Sequence, residues 1–401
     1  MTNGAAPRAA GIVAEYNPFH NGHLFHVRET RRRTGLPIIA VMSGSFMQRG
    51  EPACLSKWLR ARLAVENGVD LVLELPVAFS LRSAQYFASG AVRLLAATGC
   101  VSCVSCGAES PQLDFASLAQ RMNRPEQQRE LRQLLSQGMG YAAACARLLP
   151  LSGSKSPNDI LSLEYCRAME GTTLRPLCIP RLGGGYNSTE IGGSRASATA
   201  IRRSLASGSD DWQQAVPTSV RAALEAAEPG WDEELLWQLI SYRLRLLSPE
   251  QIAARCQCSE GLENLLKQAA ACAGLQEALQ HCTCKRYSTG RIRRLLLQLL
   301  LDQPRDLWEQ QEPAYLRILA FNDSGRRLLR SIKDTCHLPI ITKLGKTPCR
   351  GQSSAFARQL ALETAATDIW GLLQRQPSLK RPGSDHLLSP IYVPGTEAGQ
   401  P

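Results

Sequence analysis

The sequence predicts an α/β fold: a Rossmann-like, parallel-sheet domain followed by an α-helical domain. Three observations carry this. From Ala9 to about Leu205, short apolar runs alternate with stretches of helical period, the pattern of βαβ units. From Ser219 to about Gln374 the chain reads almost wholly helical, rich in Leu, Ala, Arg and Gln. With 401 residues, 44% hydrophobic and 20% charged, it can build two cores.

The elements follow in order. Ala10 to Ala14 reads as a strand, Gly22 to Thr34 as a helix and Ile38 to Met42 as the next strand. Ser56 caps a helix from Lys57 to Asn67, Gly68 ends it, and Val69 to Leu75 is a strand closed by Pro76. A helix over Ser83 to Thr98 leads to a strand over Val101 to Ser105, which runs into Cys106-Gly107-Ala108-Glu109. Leu113 to Tyr165 has mainly helical spacing, interrupted by the polar segment Ser152 to Asp159 that feeds a helix N-terminus. Leu174 to Ile179 is the last strand expected, followed by the Gly183-Gly184-Gly185 loop and a helix from Ser197 to Leu205. The break at Ala206 to Gly208 divides the chain into residues 1–207, a helical and basic part over 208–375, and a tail over 376–401. Five prolines and little periodicity predict irregular structure for that tail.

Composition narrows the function. Forty-six Lys and Arg against 35 Asp and Glu leave a net charge of +11, which favours a polyanionic partner. Nucleic acid comes ahead of a membrane surface, because no basic amphipathic helix with an aromatic face stands out. No apolar run approaches the ~18–20 residues of a membrane span, and Met1 to Arg8 lacks the apolar core of a secretory signal. A cytoplasmic protein is expected, so its 14 cysteines should be reduced and packed. Cys100, Cys103 and Cys106 form a CxxCxxC run, and Cys256/Cys258 and Cys282/Cys284 lie near His281. Neither spacing is a standard zinc pattern, and no metal site is expected.

The strongest chemical signal is Glu15-Tyr16-Asn17-Pro18-Phe19-His20-Asn21-Gly22-His23. A strand turns into a helix here, so the helix's unpaired N–H groups face the crevice at the strand's carboxyl end, where open parallel sheets bind ligands. Two imidazoles three residues apart reach one bound anion, and Gly22 lets a phosphate approach the backbone. His26, a turn further on, packs or lines the edge. Ser197 and Thr199 supply hydroxyls at a second helix start, and Arg202 a guanidinium for phosphate oxygens. Standing alone, that stretch reads first as a capped surface helix with an Arg-Arg pair.

His20-Asn21-Gly22-His23 matches the HxGH signature of the nucleotidylyltransferase superfamily. Ser197-Ala198-Thr199-Ala200-Ile201-Arg202 fits its second signature, ISxTxIR, with Ala196 in place of the first residue. The run Gly11 to Leu24, Met42 to Pro52, Asp70 to Pro76, Ser156 to Leu161, Lys285-Arg286-Tyr287 with Arg291 to Arg294, and Pro339 to Lys343 together resemble the tRNA(Met) cytidine acetate ligase family. The resemblance covers about residues 9 to 370. It implies a ligase that activates acetate with ATP and magnesium to acetyl-adenylate, releasing pyrophosphate. The acetyl group then passes to N4 of the wobble cytidine of elongator tRNA(Met).

By matching motif, the family's ATP contacts fall on Val13, Ala14, Glu15, Tyr16, Asn17, Pro18, Phe19, His20, Asn21, Gly22, His23, Leu24, Phe25 and His26, and on Gly107, Asn158 and Arg181. Gly107 departs only in its surroundings, reading Cys-Gly-Ala-Glu where the family more often has Phe-Gly-Ser-Glu. Without the resemblance, Asn158 after Pro157 is a helix cap and Arg181 a surface residue. His20 and His23 are expected to stabilise phosphate charge, with Arg202 on the departing pyrophosphate. Lys57 reaches a phosphate, the tRNA or solvent. Lys285, Arg286, Arg291, Arg293 and Arg294 form a basic cluster for RNA phosphates, with Tyr287 as a stacking ring; the other reading is a solvated helix face. Arg326, Arg327, Arg330 and Lys333 extend the basic surface. Two rivals keep part of this picture. One is an adenylyltransferase that makes a dinucleotide cofactor from ATP and a small phosphate ester, and the other is an RNA-binding scaffold with a degenerate nucleotide pocket.

Overall fold

The computed structural model describes residues 8–151, 156–181, 196–258, 261–346 and 354–394. The Gly183-Gly184-Gly185 loop and part of the Ser152 to Asp159 segment lie outside them.

The first half follows the expected alternation. In order come β1 (Ala9–Ala14), α1 (Asn21–Thr34), β2 (Ile38–Ser43), α2 (Lys57–Glu66), β3 (Leu71–Leu75), α3 (Val77–Ser80), α4 (Ala84–Ala97) and β4 (Val101–Ala108). Four helices, α5 (Phe115–Asn123), α6 (Pro125–Ser136), α7 (Tyr141–Leu148) and α8 (Pro157–Met169), precede β5 (Arg175–Pro180) and α9 (Ala198–Ser207). Strand β2 is Ile-Ile-Ala-Val-Met-Ser and buried throughout, as a strand covered by helices on both faces must be. Ser56 caps α2 by accepting from Leu59 N–H at 3.2 Å.

The sheet order is β5-β4-β1-β2-β3, all parallel. The chain leaves β1 toward β2 and β3, then crosses back to place β4 on β1's other edge. The carboxyl ends of β1 and β4 therefore flank a topological switch point, where an open α/β sheet forms its crevice.

The second half departs from the expected all-helical pattern. It contains α10 (Thr218–Ala226), α11 (Glu233–Leu246), α12 (Pro249–Ala253), α13 (Leu262–Gln268), α14 (Leu275–Cys282), α15 (Thr289–Leu300) and α16 (Arg305–Trp308). Then come β6 (Leu316–Phe321), α17 (Asp323–Thr335), β7 (Ile340–Ile341), α18 (Ser354–Leu372), α19 (Ser384–Leu387) and β8 (Ile391–Tyr392). Strand β6 joins β3 antiparallel, and β7 and β8 pair with β6. A six-residue, mostly apolar segment, Leu-Arg-Ile-Leu-Ala-Phe, cannot be told from a buried helix segment by periodicity. The described part of the tail, residues 376–394, also has regular elements, and β8 and a buried Asp385 tie it to the sheet. The largest hydrophobic core joins Leu73, Phe79 and Leu95 from the first half with Leu244, Ile292 and Trp308 from the second.

Lys57 reaches neither a phosphate nor solvent. Its ammonium is fully buried 2.6 Å from Glu74, 2.8 Å from Asp385 and 3.5 Å from Glu363. Arg317 of β6 completes the cluster, 2.7 Å from Asp385 and 3.4 Å from Glu74. Two cations face three carboxyls, and burial beside Glu74 pushes the Glu363 carboxyl up to about 8. A protonated Glu363 leaves the cluster neutral, which limits the several kcal/mol that each unpaired buried ion costs. The cluster fastens α2 and β3 to β6, α18 and α19.

Candidate active site

After β1 the chain turns sharply before α1 begins. Tyr16, 1% exposed, sits at φ 48°, a left-handed conformation that a bulky residue holds only when its surroundings impose it. The buried Arg60 does so from one side, its Nη1 donating to the carbonyls of Glu15 at 2.6 Å and Ser43 at 3.1 Å. Asn17 Oδ1 anchors the other side by accepting from Cys54 N–H at 2.8 Å.

The turn delivers two histidines to the start of α1. His20 caps the helix: its Nδ1 accepts from the N–H groups of Gly22 at 3.0 Å and His23 at 3.3 Å. In return His23 Nδ1 accepts from His20 N–H at 3.3 Å, and the rings stack with centroids 3.7 Å apart. Both Nδ1 atoms are acceptors, so each neutral ring carries its proton on Nε2. The role of Gly22 differs from the expected one. A Cβ there would stand 2.8 Å from His20 Cε1, so the space it leaves is filled by the His20 ring.

Burial sets the charge state. It lowers His20 to about 3 and His26 to about 4, and holds His23 well below the ordinary histidine range, with the Arg181 charge adding to each. All three are neutral near pH 7. His26 Nε2 lies 2.9 Å from Ser105 Oγ, which also bonds Thr30, so the third histidine is fixed at the pocket's edge. Burial also raises the Glu15 carboxyl, opposed by Gln48 N–H, which donates to it at 2.6 Å.

A second wall comes from β4 and α8. Glu109 takes the N-terminus of α8, accepting from Asp159 N–H at 3.0 Å and from the Asn158 amide. Asn158 is therefore capped by Glu109, and its Oδ1 accepts from Arg181 Nη1 at 3.2 Å. Gly107 faces the same arginine. A third wall is the start of α9 with the loop after β2. Ser197 caps α9 through Ala200 N–H at 3.1 Å, Thr199 Oγ1 accepts from Arg49 at 3.1 Å, and Arg202 bonds the Asn17 carbonyl at 2.7 Å and Glu51 at 2.6 Å.

These walls enclose one pocket. Its lining includes Val13, Ala14, Glu15, Tyr16, Asn17, His20, His23, His26, Gly107, Asn158, Arg181, Ser197, Thr199 and Arg202. The two signatures, far apart in sequence, thus share one cavity. Pro18, Phe19, Asn21, Gly22, Leu24 and Phe25 are not on its surface; Phe19 is core, and the Asn21 amide donates to the Gln214 carbonyl at 2.9 Å. Met47, Gln48, Arg49, Glu51, Phe87, Cys106, Leu161 and Tyr165 line it without having been predicted.

Known proteins resemble this chain in both sequence and architecture. The HIGH Nucleotidyl Transferase family model matches residues 8–385. The chain belongs to that family. Within it, the chain is 38% identical to the tRNA(Met) cytidine acetate ligase of Syntrophomonas wolfei, over 96% of this chain and 99% of the relative. It is 35% identical to the enzyme of that name from Acetivibrio thermocellus, over 94% and 98%. The crystal structure of Thermotoga maritima TmcAL in its apo form superposes with a TM-score of 0.89 at 30% identity, covering 97% of this chain and all of the other. The same protein bound with alpha-thio ATP gives 0.88. The chain is thus also a member of the tRNA(Met) cytidine acetate ligase family, as its motifs imply.

In this family member the predicted RNA residues fall into two groups. Lys285 is exposed, whereas Arg286 and Arg291 are half-buried around Tyr287, with Arg291 5.1 Å from its ring centroid. Tyr287 is only 7% exposed and packs in the core, so it is not the stacking ring expected from the sequence. Arg293 and Arg294 point to the pocket's rim: Arg293 lies 3.4 Å from Glu51, and Arg294 donates to the Gln48 carbonyl at 3.0 Å. Arg326, Arg327, Arg330 and Lys333 are exposed on α17. Among the described residues no group of three His, Cys, Asp or Glu is placed to hold a metal ion; Cys106 lies beside Cys178, and Cys256 beside Cys258.

Proposed function

We propose that this chain is an ATP-dependent ligase that joins acetate to the wobble cytidine of elongator tRNA(Met). The observation that carries this reading is the shared pocket: His20, His23 and Arg202, from two distant signatures, converge at the switch point of a chain related over almost its whole length to ligases of that name.

In the first step an acetate oxygen attacks the α-phosphorus of ATP, and the bond to the β-phosphate oxygen breaks. Acetyl-adenylate forms and pyrophosphate leaves. Acetate and ATP are both anionic, so the pocket must neutralise charge as well as offer hydrogen-bond donors. Neutral His20 and His23 offer donors, each with Nε2–H available for phosphate oxygens while Nδ1 is held by the backbone. Arg202 and Arg181 supply permanent positive charge for the phosphates. Phe87, Leu161 and Tyr165 give the pocket an apolar wall suited to the adenine. In the second step the cytidine N4 amine attacks the acetyl carbonyl, AMP departs, and the nitrogen loses a proton.

Magnesium fits as a partner of the phosphates. The pocket carboxylates already have partners, Glu15 with Gln48 N–H and Glu51 with two arginines, so the metal would arrive with ATP and supply charge neutralisation. The α15 and α17 arginines support docking of tRNA. A cytoplasmic site of action belongs to the same reading; among the described residues no helix is long and apolar enough to cross a membrane.

The test is pyrophosphate release from ATP and magnesium, with tRNA present, in the presence of acetate or of small phosphate esters. Release should require acetate and fall about 10²–10³-fold in His23→Ala. Release with a phosphate ester and not with acetate would instead make the protein a cofactor adenylyltransferase.

A further inference from the structure

One carboxylate is shared between two arginines that are 91 positions apart in the chain, 202 and 293. Glu51 Oε2 lies 2.6 Å from Arg202 Nη2 and its Oε1 lies 3.4 Å from Arg293 Nη1. The other terminal nitrogen of Arg202, Nη1, donates to the Asn17 carbonyl at 2.7 Å, so two acceptors fix the plane of its guanidinium. A carboxylate in a pocket for a polyphosphate opposes its ligand unless it is neutralised. Here the trio keeps a net positive charge. The three side chains are 14%, 19% and 19% exposed, so their attraction is not screened as it is at an open surface.

The backbone enforces the proximity. Gly50 has φ +78°, and a Cβ there would stand 2.5 Å from Arg293 Cβ and 2.7 Å from Arg294 N. With Arg294 donating to the Gln48 carbonyl, the loop after β2 rests directly on α15.

We infer that Glu51 is a positioning residue that aims Arg202 at the phosphates of ATP and is itself held by Arg293, so that α15 and the phosphate end of the pocket act as one unit. The inference rests on the ATP and tRNA reading given above. It assigns Arg293 a role other than simple RNA contact, because its charge is already committed to Glu51.

The full-length chain and its Glu51→Gln, Arg293→Gln and double variants distinguish these roles, with Arg293→Lys as the conservative control. Two measurements are made: binding of a non-hydrolysable ATP analogue to the free protein, and steady-state acetylation of tRNA(Met). The relay predicts that each single variant weakens analogue binding roughly 3–30-fold, that the double is no weaker than Glu51→Gln alone, and that Arg293→Lys recovers part of the loss. In acetylation, kcat at saturating tRNA falls while KM for tRNA stays close to wild type. Analogue binding unchanged in Arg293→Gln with only KM for tRNA raised, or single-variant losses in analogue binding that multiply in the double variant, overturns the relay. If the wild type binds the analogue but transfers no acetate, the ligase reading fails, and the binding measurement still decides the relay.

Discussion

His20 and His23 cap each other across the first turn of α1, each imidazole Nδ1 accepting the other residue's backbone N–H. The same rings thus fix the helix start and present Nε2–H to the pocket. The two duties separate by substitution. His20→Asn keeps an N-cap acceptor and should stay within about 0.5 kcal/mol of wild type, whereas His20→Ala loses about 1 kcal/mol. Both should lose acetylation by about 10²–10³-fold, because neither offers a donor at the Nε2 position. Denaturant unfolding and initial rates check this. An active His20→Asn would reduce His20 to a cap.

A depressed histidine makes ATP binding proton-linked. In the free protein burial holds His26 at about 4, and bound phosphate oxygens favour its imidazolium and raise this value, whereas His20 stays neutral because its Nδ1 already accepts two backbone N–H groups. Binding should therefore take up protons, and affinity should rise as pH falls from about 7.5 toward 5.5. Binding enthalpies of an ATP analogue in buffers of different ionisation enthalpy measure the uptake. The ligand-free protein should behave oppositely. Below the ordinary histidine value near 6.5 the unfolded chain binds more protons, so stability falls as pH drops toward 4.

Glu363 carries the reverse sign. Its carboxyl is raised by burial to about 8, so the folded protein holds a proton that the unfolded chain releases near 4.5. That contribution to stability is complete below about 4.5 and is lost as pH rises through about 8. Glu363→Gln mimics the protonated acid and can still accept from Val77 N–H, the bond Glu363 makes at 2.6 Å. Melting temperatures from pH 6 to 9 should decline less steeply for this variant than for wild type. Equal slopes would show that Glu363 is ionised in its cluster.

The parts of this molecule that were legible in the sequence are those fixed locally. Strand–turn–helix punctuation located β1 through β5 to within a few residues, and His20-Asn21-Gly22-His23 marked the helix start whose two histidines line the pocket. What escaped depends on contacts distant in sequence. Lys57 looked like a lysine for a phosphate, the tRNA or solvent, because its partners Glu74, Glu363 and Asp385 lie up to 328 positions away, at Asp385. Tyr287 looked available for stacking until the core formed around it. Strand β6 is too short and too apolar for its period to show. Gln48, Arg49 and Glu51 were missed although they follow β2, the parallel neighbour of β1, whose carboxyl end opens on the same crevice; that adjacency was the available signal.

The most direct test of the whole account is transfer of label from [¹⁴C]acetate to unmodified elongator tRNA(Met), with ATP and magnesium, followed by nucleoside analysis of the wobble position. Label should appear as N4-acetylcytidine only when ATP is present, and should vanish in His23→Ala and when guanosine replaces the wobble cytidine. Label absent from tRNA in the complete reaction, or retained with guanosine at that position, would contradict it.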